Sequence, residues 1–327
     1  MRIFRNLDEA RSAFAPSALT IGNFDGVHAA HRELMRTVVR LARDCGARAS
    51  ALTFYPHPAE FLAPERAPML LSSPAERCTL MEREGIEQVL ILPFDERISK
   101  LEPEAFFREI LVLALGARAV AVGQNFLFGR RQLGNAQTLH RLGLNYRVSV
   151  EILPPVRRRG VVVSSSEIRR LLVLGDVARA GRLLERPFAL AGRVVGGAGR
   201  GRRETVPTLN LDMDSLAFER AALPANGVYI TRTTPGTDLQ PQGPWWRSVT
   251  NVGVRPTFGG SHQTIETFIL DSAIPVPPDH IRVEFLRRIR DERTFPSAEV
   301  LRNQILGDVR RAEEFFRRTA QLRPING

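Results

Sequence analysis

One stretch decides how the first half of this chain folds, and it reads Thr20-Ile21-Gly22-Asn23-Phe24-Asp25-Gly26-Val27-His28-Ala29-Ala30-His31. An apolar run ends in a turn rich in Gly, Asn and Asp, and a helical pattern then begins at the two histidines. Residues three apart on a helix share a face, so both imidazoles should point the same way. The first turn of a helix carries free N–H groups and the positive end of the helix dipole. The stretch therefore predicts a phosphate site, with two solvated histidines on an ordinary helix as the alternative.

The composition of the whole chain is typical of a soluble globular protein. Its 327 residues are enough for two domains, and 43% are hydrophobic and 25% charged. No apolar run is long enough to span a bilayer and no signal-peptide core opens the chain, so we expect a cytoplasmic protein without a membrane partner. Cys45 and Cys78 form neither a disulfide framework nor a metal-ligand spacing.

The formal net charge of +11 comes almost wholly from arginine, because Lys100 is the only lysine. A Walker-type phosphate loop needs Gly-Lys-Ser/Thr, and Lys100 follows Ser99 instead, so this chemistry is excluded. The arginines are scattered along the chain. We favour a general arginine bias over a nucleic-acid surface and expect no nucleic-acid partner.

Residues 1 to about 185 alternate between strand and helix patterns. Gly46, Gly85 and Gly116 each follow a helical pattern, and these patterns separate four apolar strand patterns: 19–21, 49–54, 88–92 and 119–122. This alternation predicts a Rossmann-like α/β domain with an open parallel sheet, whose ligands bind at the carboxyl ends of the strands.

Polar residues follow three of these strands. Asn23, Asp25, His28 and His31 follow the first, His57 the second, and Asn125 and Gly129 a later one. His57 and Asn125 could each simply cap a turn, but their joint placement on one sheet edge favours a binding site. Further on, Ser164-Ser165-Ser166-Glu167-Ile168-Arg169 begins a helix, and its hydroxyls and arginine suit either a simple cap or a triphosphate.

The pattern changes after Arg186-Pro187. Short β-branched runs alternate with Gly, Pro and Asn turns, which predicts a small antiparallel barrel, and a terminal helix follows from Ser297 to about Arg318. We therefore expect domains at 1–186 and 187–327.

Three stretches of this second half could carry chemistry. The run 196–203, with Gly199 and Gly201, offers backbone N–H groups and positive charge for phosphates, or is a loose hairpin. Thr208 and Asn210 supply oxygen donors of the kind that Mg²⁺ accepts. Glu266 alternates with Ile265 and Thr267 in an apolar strand, so it is either a general base or an exposed strand glutamate.

Taken in order, these motifs resemble the bacterial bifunctional riboflavin kinase/FAD synthetase family. The resemblance runs from about Thr20 to the end of the chain and rests on eight motifs, which read Gly-Asn-Phe-Asp-Gly-Val-His-x-x-His, Thr-Phe-Tyr-Pro-His-Pro, Gly-x-Asn-Phe-x-Phe-Gly, Ser-Ser-Ser-x-Ile-Arg, Pro-Thr-x-Asn, Gly-Val-Tyr, Asn-Val-Gly-x-Arg-Pro-Thr-Phe and Ile-Glu-Thr-Phe-Ile-Leu-Asp.

The resemblance implies two reactions. The barrel would transfer the γ-phosphate of ATP to riboflavin, giving FMN, and the N-terminal nucleotidyltransferase domain would join AMP from a second ATP to FMN, giving FAD and pyrophosphate.

The resemblance also implies site residues. Glu266, His28 and His31 would be catalytic, and Thr208 and Asn210 would bind Mg²⁺. Substrate contacts would come from Gly22, Asn23, Phe24, Asp25, His57, Asn125, Gly129, Ser164, Ser165, Arg169, Gly199, Gly201, Thr208 and Asn210.

Three positions depart from the family pattern. Ala30 replaces the usual glycine before the second histidine, and Ser166 replaces a threonine but keeps the hydroxyl. The segment before Pro207 lacks the usual glycine, and Leu209 is larger than the usual alanine. An FAD synthetase with a flavin-binding but weakly active kinase domain is therefore the alternative. The sequence does not decide the oligomeric state, so a homo-oligomer stays open.

Overall fold

The structure is a computed structural model that describes residues 1–195, 208–216, 220–237, 243–257, 260–271 and 276–321. The chain divides into two compact units, Met1–Ser165 and Ser166–Gly327. The domain boundary at 186/187 stays a prediction.

The first unit is built on a six-stranded parallel sheet. Its strands, in spatial order, are β1 (Arg2–Phe4), β4 (Gln88–Leu92), β3 (Arg48–Phe54), β2 (Ser17–Ile21), β5 (Ala117–Gly123) and β8 (Ser149–Leu153). The central strands are buried on both faces, so they read as continuous apolar runs in the sequence. Two short hairpins complete the strands: β6 (Leu127–Phe128) with β7 (Gly134–Asn135), and β9 (Arg157–Arg158) with β10 (Val161–Val162).

Helices cover both faces of this sheet. They are α1 (Leu7–Ala13), α2 (Ala29–Cys45), α3 (Pro58–Leu62), α4 (Pro74–Arg83), α5 (Glu96–Ser99), α6 (Pro103–Phe106), a π-helical turn (Phe107–Ala114) and α7 (Ala136–Tyr146), with 3₁₀ turns at Pro64–Arg66 and Arg130–Gln132. Met35 and Val38 of α2 pack with Met81 of α4 on one face, and Phe107 packs with Leu139 on the other. The unit is therefore a three-layer α/β domain, which confirms the predicted fold class.

The strand order places a crevice beside β2. The chain runs from β2 outward to β3 and β4, then returns to β5 on the other side of β2. In an open parallel sheet, such a reversal leaves a crevice at the carboxyl ends of the strands, where ligands bind. The residues that follow Ile21 therefore lie at the position that this topology favours for a site.

Several elements of the first unit lack a clear sequence signal. The edge strands β1 and β8 and the helices α1 and α7 are absent from the sequence-based prediction. The helix expected over residues 105–115 forms, but its second half takes a π-helical pitch, with Leu115 N–H donating to Ile110 O at 3.0 Å.

The second unit contains a closed antiparallel barrel. Its strands, in spatial order, are β11 (Phe188–Val195), β12 (Leu209–Leu211), β15 (Gly260–Ile269), β14 (Trp246–Thr257), β13 (Gly227–Pro235) and β16 (His280–Asp291). The helices of this unit are α8 (Ser165–Val173), which begins at the last residue of the first unit, α9 (Val177–Leu184), a 3₁₀ turn (Met213–Ser215) and α10 (Ala298–Gln321). The expected barrel and terminal helix are confirmed, whereas the three-residue β12 was not predicted.

Alternate residues of the barrel strands face the interior and the exterior. Five fully buried hydroxyl residues contact one another at 2.8–3.0 Å inside the barrel: Thr231, Thr233, Ser248, Thr250 and Thr267. Their neighbours Val228, Ile230 and Val249 instead pack under Ala312 and Phe316 of α10. The side covered by α10 is thus the outside of the barrel.

No helix in the described ranges is both long and apolar enough to cross a membrane.

Candidate active sites

The turn between β2 and α2 has an unusual backbone. Phe24, Gly26 and Val27 have φ values of 48°, 80° and 38°. Side chains at Phe24 and Val27 make this left-handed conformation costly, and such strain persists only where the surroundings enforce it. The turn is therefore held in place by the rest of the unit.

The two histidines stack at the first turn of α2, as predicted. Their ring centroids are 3.6 Å apart with planes 15° from parallel, and the buried Phe24 ring meets His31 edge-on at 5.2 Å. His28 is the N-cap, and its Nδ1 accepts the N–H of His31 at 3.4 Å. Its proton then lies on Nε2, which can donate to a ligand.

His31 is a neutral base in a buried setting. Burial, followed by the nearby His28 and Arg77, holds the pKa of His31 well below its usual range. Its Nδ1 is buried and has no hydrogen-bond partner in the part of the chain that the structure describes. An unpaired buried polar atom costs about 1–3 kcal/mol. This atom therefore favours a ligand that supplies the missing partner.

Asn23 and His57 meet across two neighbouring strand ends. Their side-chain nitrogens are 2.9 Å apart, and His57 Nδ1 accepts the N–H of Ala59 at 3.1 Å as the N-cap of α3. A neutral imidazole has one donor and one acceptor, so His57 Nε2 carries the proton and the Asn23 amide presents its oxygen to it. His57 thus caps α3 and also contacts Asn23 in the turn between β2 and α2.

Asp25 faces inward. Its carboxylate is 2% exposed and accepts the N–H groups of Leu71, at 2.9 and 3.0 Å, and of Ser72, at 3.2 Å. Arg77 lies 3.8 Å from the same carboxylate. Ser72 Oγ also accepts the N–H of Gly26 at 2.9 Å. Asp25 therefore anchors the turn, and its contact with a nucleotide stays a prediction.

The remaining residues predicted for adenylyl transfer are divided between the two units. Ser165, the last residue of the first unit, donates its hydroxyl to Asp25 O at 2.9 Å. Ser164 directly precedes α8, and Arg169 lies in α8 within the second unit. Asn125 is exposed in the turn after β5.

Two glycines predicted there meet backbone or ring atoms. A Cβ on Gly129, whose φ is 72°, would meet Pro103 N at 2.9 Å, and one on Gly22 would meet the Phe24 ring at 3.3 Å. Gly129 therefore has a structural reason to be glycine.

A second polar cluster lies on the outside of the barrel. Glu266 is directly opposite Asn210 on β12 and Asn251 on β14, so the three side chains form a row across adjacent strands. Glu266 is half-buried, and Leu270, which follows on the same face, packs against the apolar residues that α10 covers. The expected alternation of Ile265 and Glu266 between two faces is thus confirmed.

The oxygen donors expected to hold a cation lie beside this row. Asn210 is half-buried on β12, and Thr208 is exposed two residues before it. Amide, hydroxyl and carboxylate oxygens form a donor set that suits Mg²⁺. Among the described residues, no three His, Cys, Asp or Glu side chains gather into a metal cluster. Gly199 and Gly201 lie outside the described residues.

Sequence reasoning missed several residues of both clusters. Asn251 was quoted only as part of a motif, although strand alternation places it on the outward face. Thr53, Ser72 and Arg77 join the turn from distant segments, and nothing in their local sequence signals that.

Comparisons with known proteins cover both units. Residues 10–167 match the FAD synthetase family model, and residues 184–316 match the riboflavin kinase model. The bifunctional riboflavin kinase/FMN adenylyltransferase of Pseudomonas fluorescens is 34% identical over 94% of this chain and 96% of its own length. The enzyme of the same name from Escherichia coli K12 is 34% identical over 91% of this chain and 92% of its own length.

A solved structure gives the same picture of the fold. A Streptococcus pneumoniae crystal structure, described as a macrolide-efflux protein, is 30% identical with a TM-score of 0.83 and covers 94% of this chain and 97% of its own. The sequence matches cover both units in the expected order. The chain therefore belongs to the bifunctional riboflavin kinase/FMN adenylyltransferase family.

Proposed function

We propose that the two reactions of this enzyme, phosphorylation of riboflavin to FMN and adenylylation of FMN to FAD, take place at the two clusters described above. Adenylyl transfer would occur at the turn before α2, and phosphoryl transfer on the outer face of the barrel. On this proposal residues 1–186 carry the adenylyltransferase and 187–327 the kinase, which the matched ranges of the two family models support.

For adenylyl transfer, the supporting observation is the stacked histidine pair at the start of α2. An FMN phosphate oxygen attacks the α-phosphorus of ATP, and the bond to pyrophosphate breaks. The phosphate is already anionic at neutral pH, so no protein nucleophile or base is needed. His28 Nε2–H, neutral His31 and the N-terminal N–H groups of α2 would bind the charge that develops on the leaving group. Asn23, Asn125, Ser164 and Arg169 would hold the nucleotide.

For phosphoryl transfer, the supporting observation is the row of Asn210, Glu266 and Asn251. Glu266 would accept the proton of the riboflavin 5′-hydroxyl as its oxygen attacks the γ-phosphorus and ADP leaves. The flanking amides would fix the carboxylate and the hydroxyl in position. Thr208 and Asn210 would hold Mg²⁺, which when bound neutralises charge on the ATP phosphates.

Reciprocal variants test both assignments. Glu266→Ala should lower FMN formation by about 10²- to 10⁴-fold, the usual value of a positioned base, and leave FMN-to-FAD conversion intact. His31→Ala should lower FMN-to-FAD conversion and leave FMN formation intact. Separate assays that start from riboflavin and from FMN measure the two steps. Loss of both activities in either folded variant would contradict the assignment of separate sites.

The cytoplasmic location, the absence of a nucleic-acid partner and the oligomeric state stay predictions.

A further inference from the structure

Arg77, on the first turn of α4, carries a buried charge that its neighbours pair only loosely. Its side chain is 3% exposed, with Nη1 3.4 Å from Thr53 Oγ1 and Nη2 3.8 Å from Asp25 Oδ1. Its Nε is buried and has no hydrogen-bond partner within the described residues. Burial lowers the pKa of the guanidinium, and Asp25 opposes that shift. A buried charge normally needs close, complete pairing, so folding alone does not account for this arginine.

The two partners of Arg77 involve the residues directly before and after Phe24 in the turn. Asp25 belongs to the turn and is fixed by the backbone of Leu71 and Ser72. Thr53 donates its hydroxyl to Asn23 O at 3.2 Å. One guanidinium therefore connects, through a carboxylate and a hydroxyl, to the residues before and after Phe24. Arg77 is also close enough to His31 to lower its pKa.

We infer that Arg77 is a positioning residue of FMN adenylylation, which fixes Asn23 and Asp25 and, through them, the phosphate-facing turn. The inference rests on the proposed location of adenylyl transfer at this turn. An in-line displacement loses rate steeply when the phosphate site moves by a fraction of an ångström. The buried positive charge also adds to the field of the α2 N-terminus, where negative charge gathers as pyrophosphate leaves. Arg77 touches neither reactant in this role and acts through its neighbours.

The competing explanation is that Arg77 only balances the buried charge of Asp25. In that case, removing one charge should lower both the stability and the reaction rate, and removing both charges together should restore them. If Arg77 positions the turn, removing both charges should restore stability but not the reaction rate. Because Asp25 itself anchors the turn, the double variant Asp25→Asn/Arg77→Met separates the two explanations when it is compared with Asp25→Asn alone.

The experiment supplies FMN and ATP directly and measures FAD formation by the full chain. Arg77→Met should lower kcat by about 10- to 100-fold, with KM for FMN and ATP changed less than about threefold. Arg77→Lys keeps a cationic side chain but loses the two-pronged contact with Thr53 and Asp25, so its kcat should lie between those of the wild type and Arg77→Met. The double variant should regain the wild-type melting temperature but keep the low kcat.

Two controls accompany these variants. Arg290 is paired with the buried Asp308 at 2.8 Å in the second unit, so Arg290→Met is a matched loss of a paired arginine and should leave FMN adenylylation unchanged. Riboflavin phosphorylation by Arg77→Met should also stay at the wild-type rate, because the kinase cluster lies in the second unit, and the far-UV circular dichroism of this variant shows whether the first unit is folded.

The outcomes are distinct. A wild-type kcat in Arg77→Met, or in the double variant, overturns the inference. If Arg77→Met does not fold, the double variant, which buries neither charge, decides by the same criterion. His31→Ala in the same assay tests the location itself: if it keeps full activity, the proposed site is wrong, whereas a slow His31→Ala beside a normal Arg77→Met refutes only the role of Arg77.

Discussion

At the residue scale, His31 shows how the fold sets the chemistry of a side chain. A free histidine is partly charged near neutral pH, yet burial beside His28 and Arg77 lowers the pKa of His31 and keeps its ring neutral. A neutral ring offers one N–H to a phosphate oxygen and adds no positive charge of its own. The positive charge of the site then comes from Arg77 and the α2 N-terminus, which do not titrate near neutral pH.

The lowered pKa of His31 predicts how stability depends on pH. The unfolded chain binds a proton at this residue below about pH 6.5, whereas the folded chain does not, so protonation favours unfolding as the pH falls. Above about pH 6.5 the effect vanishes. Between about pH 6.5 and the lower pKa of the folded state, each unit of falling pH therefore removes up to about 1.4 kcal/mol of unfolding free energy at this residue.

His31→Gln should remove that cost and so reduce the loss of unfolding free energy between pH 7.5 and 5.5. Urea unfolding followed by far-UV circular dichroism measures this free energy. Tryptophan fluorescence does not suit the first unit, because both tryptophans, Trp245 and Trp246, lie in the second unit. An identical pH dependence in wild type and variant would refute the neutral, buried His31.

At the element scale, the turns show which glycines the backbone requires. Gly129 and Gly160 both have left-handed backbones, with φ of 72° and 82°. A Cβ on Gly129 would press on the Pro103 backbone, with N at 2.9 Å and Cα at 3.0 Å, whereas one on Gly160 would meet nothing within 4 Å. Gly129 also has ψ of 178°, a backbone region that is nearly exclusive to glycine, so the two positions differ in backbone strain as well as in steric contact.

We expect Gly160→Ala to cost about 1–2 kcal/mol, the value of a left-handed backbone alone. Gly129→Ala should cost about 1–3 kcal/mol more, because Pro103 must also move and the backbone region of Gly129 is nearly exclusive to glycine. Unfolding free energies of both variants give the difference directly. Equal costs would mean that the close approach to Pro103 relaxes freely, and that Gly129 is not needed for packing.

At the same scale, strand pairing brings the residues of the kinase cluster together. Asn210 and Asn251 are 41 positions apart in sequence, yet each pairs with Glu266 because β15 lies between β12 and β14. A shift of one residue in either register would move the facing side chain to the barrel interior. The row thus depends on the pairing and not on any single strand.

At the scale of the whole molecule, each of the two compact units has its own core and its own polar cluster. The product of one reaction, FMN, is the substrate of the other and is a diffusible molecule. Two incomplete chains should therefore complement each other in solution.

We expect a mixture of Glu266→Ala and His31→Ala proteins to convert riboflavin and ATP to FAD, although neither protein does so alone. The first variant keeps adenylyl transfer and the second keeps phosphorylation. Chromatography of the flavins from the mixture and from each variant measures this. If the mixture makes FMN but no FAD, the second reaction requires FMN made by the same chain.

Much of this architecture could be predicted because local patterns carry it. The apolar run before Gly22, the helix that Gly46 ends, with φ of 60°, and the alternation around Glu266 each follow from residues close in sequence. The strands β1 and β12 were missed because three residues are too few to show a period, and β8 was missed because Ser149 and Glu151 interrupt its apolar run. The π-helical pitch after Phe106 has no local signature.

The sequence by itself determined the two-part α/β and barrel architecture, the turn with its paired histidines, and the strand face that Glu266 shares with Phe268 and Leu270, because a period of 3.6 or 2 residues fixes which side chains share a face. Only the tertiary structure decided which other residues these side chains contact. Strand order brought His57 to Asn23, the turn folded onto Thr53 and Arg77, and barrel closure set Asn210 and Asn251 beside Glu266. Such pairings join residues far apart in the chain, and their register depends on how whole elements pack, which no local pattern records.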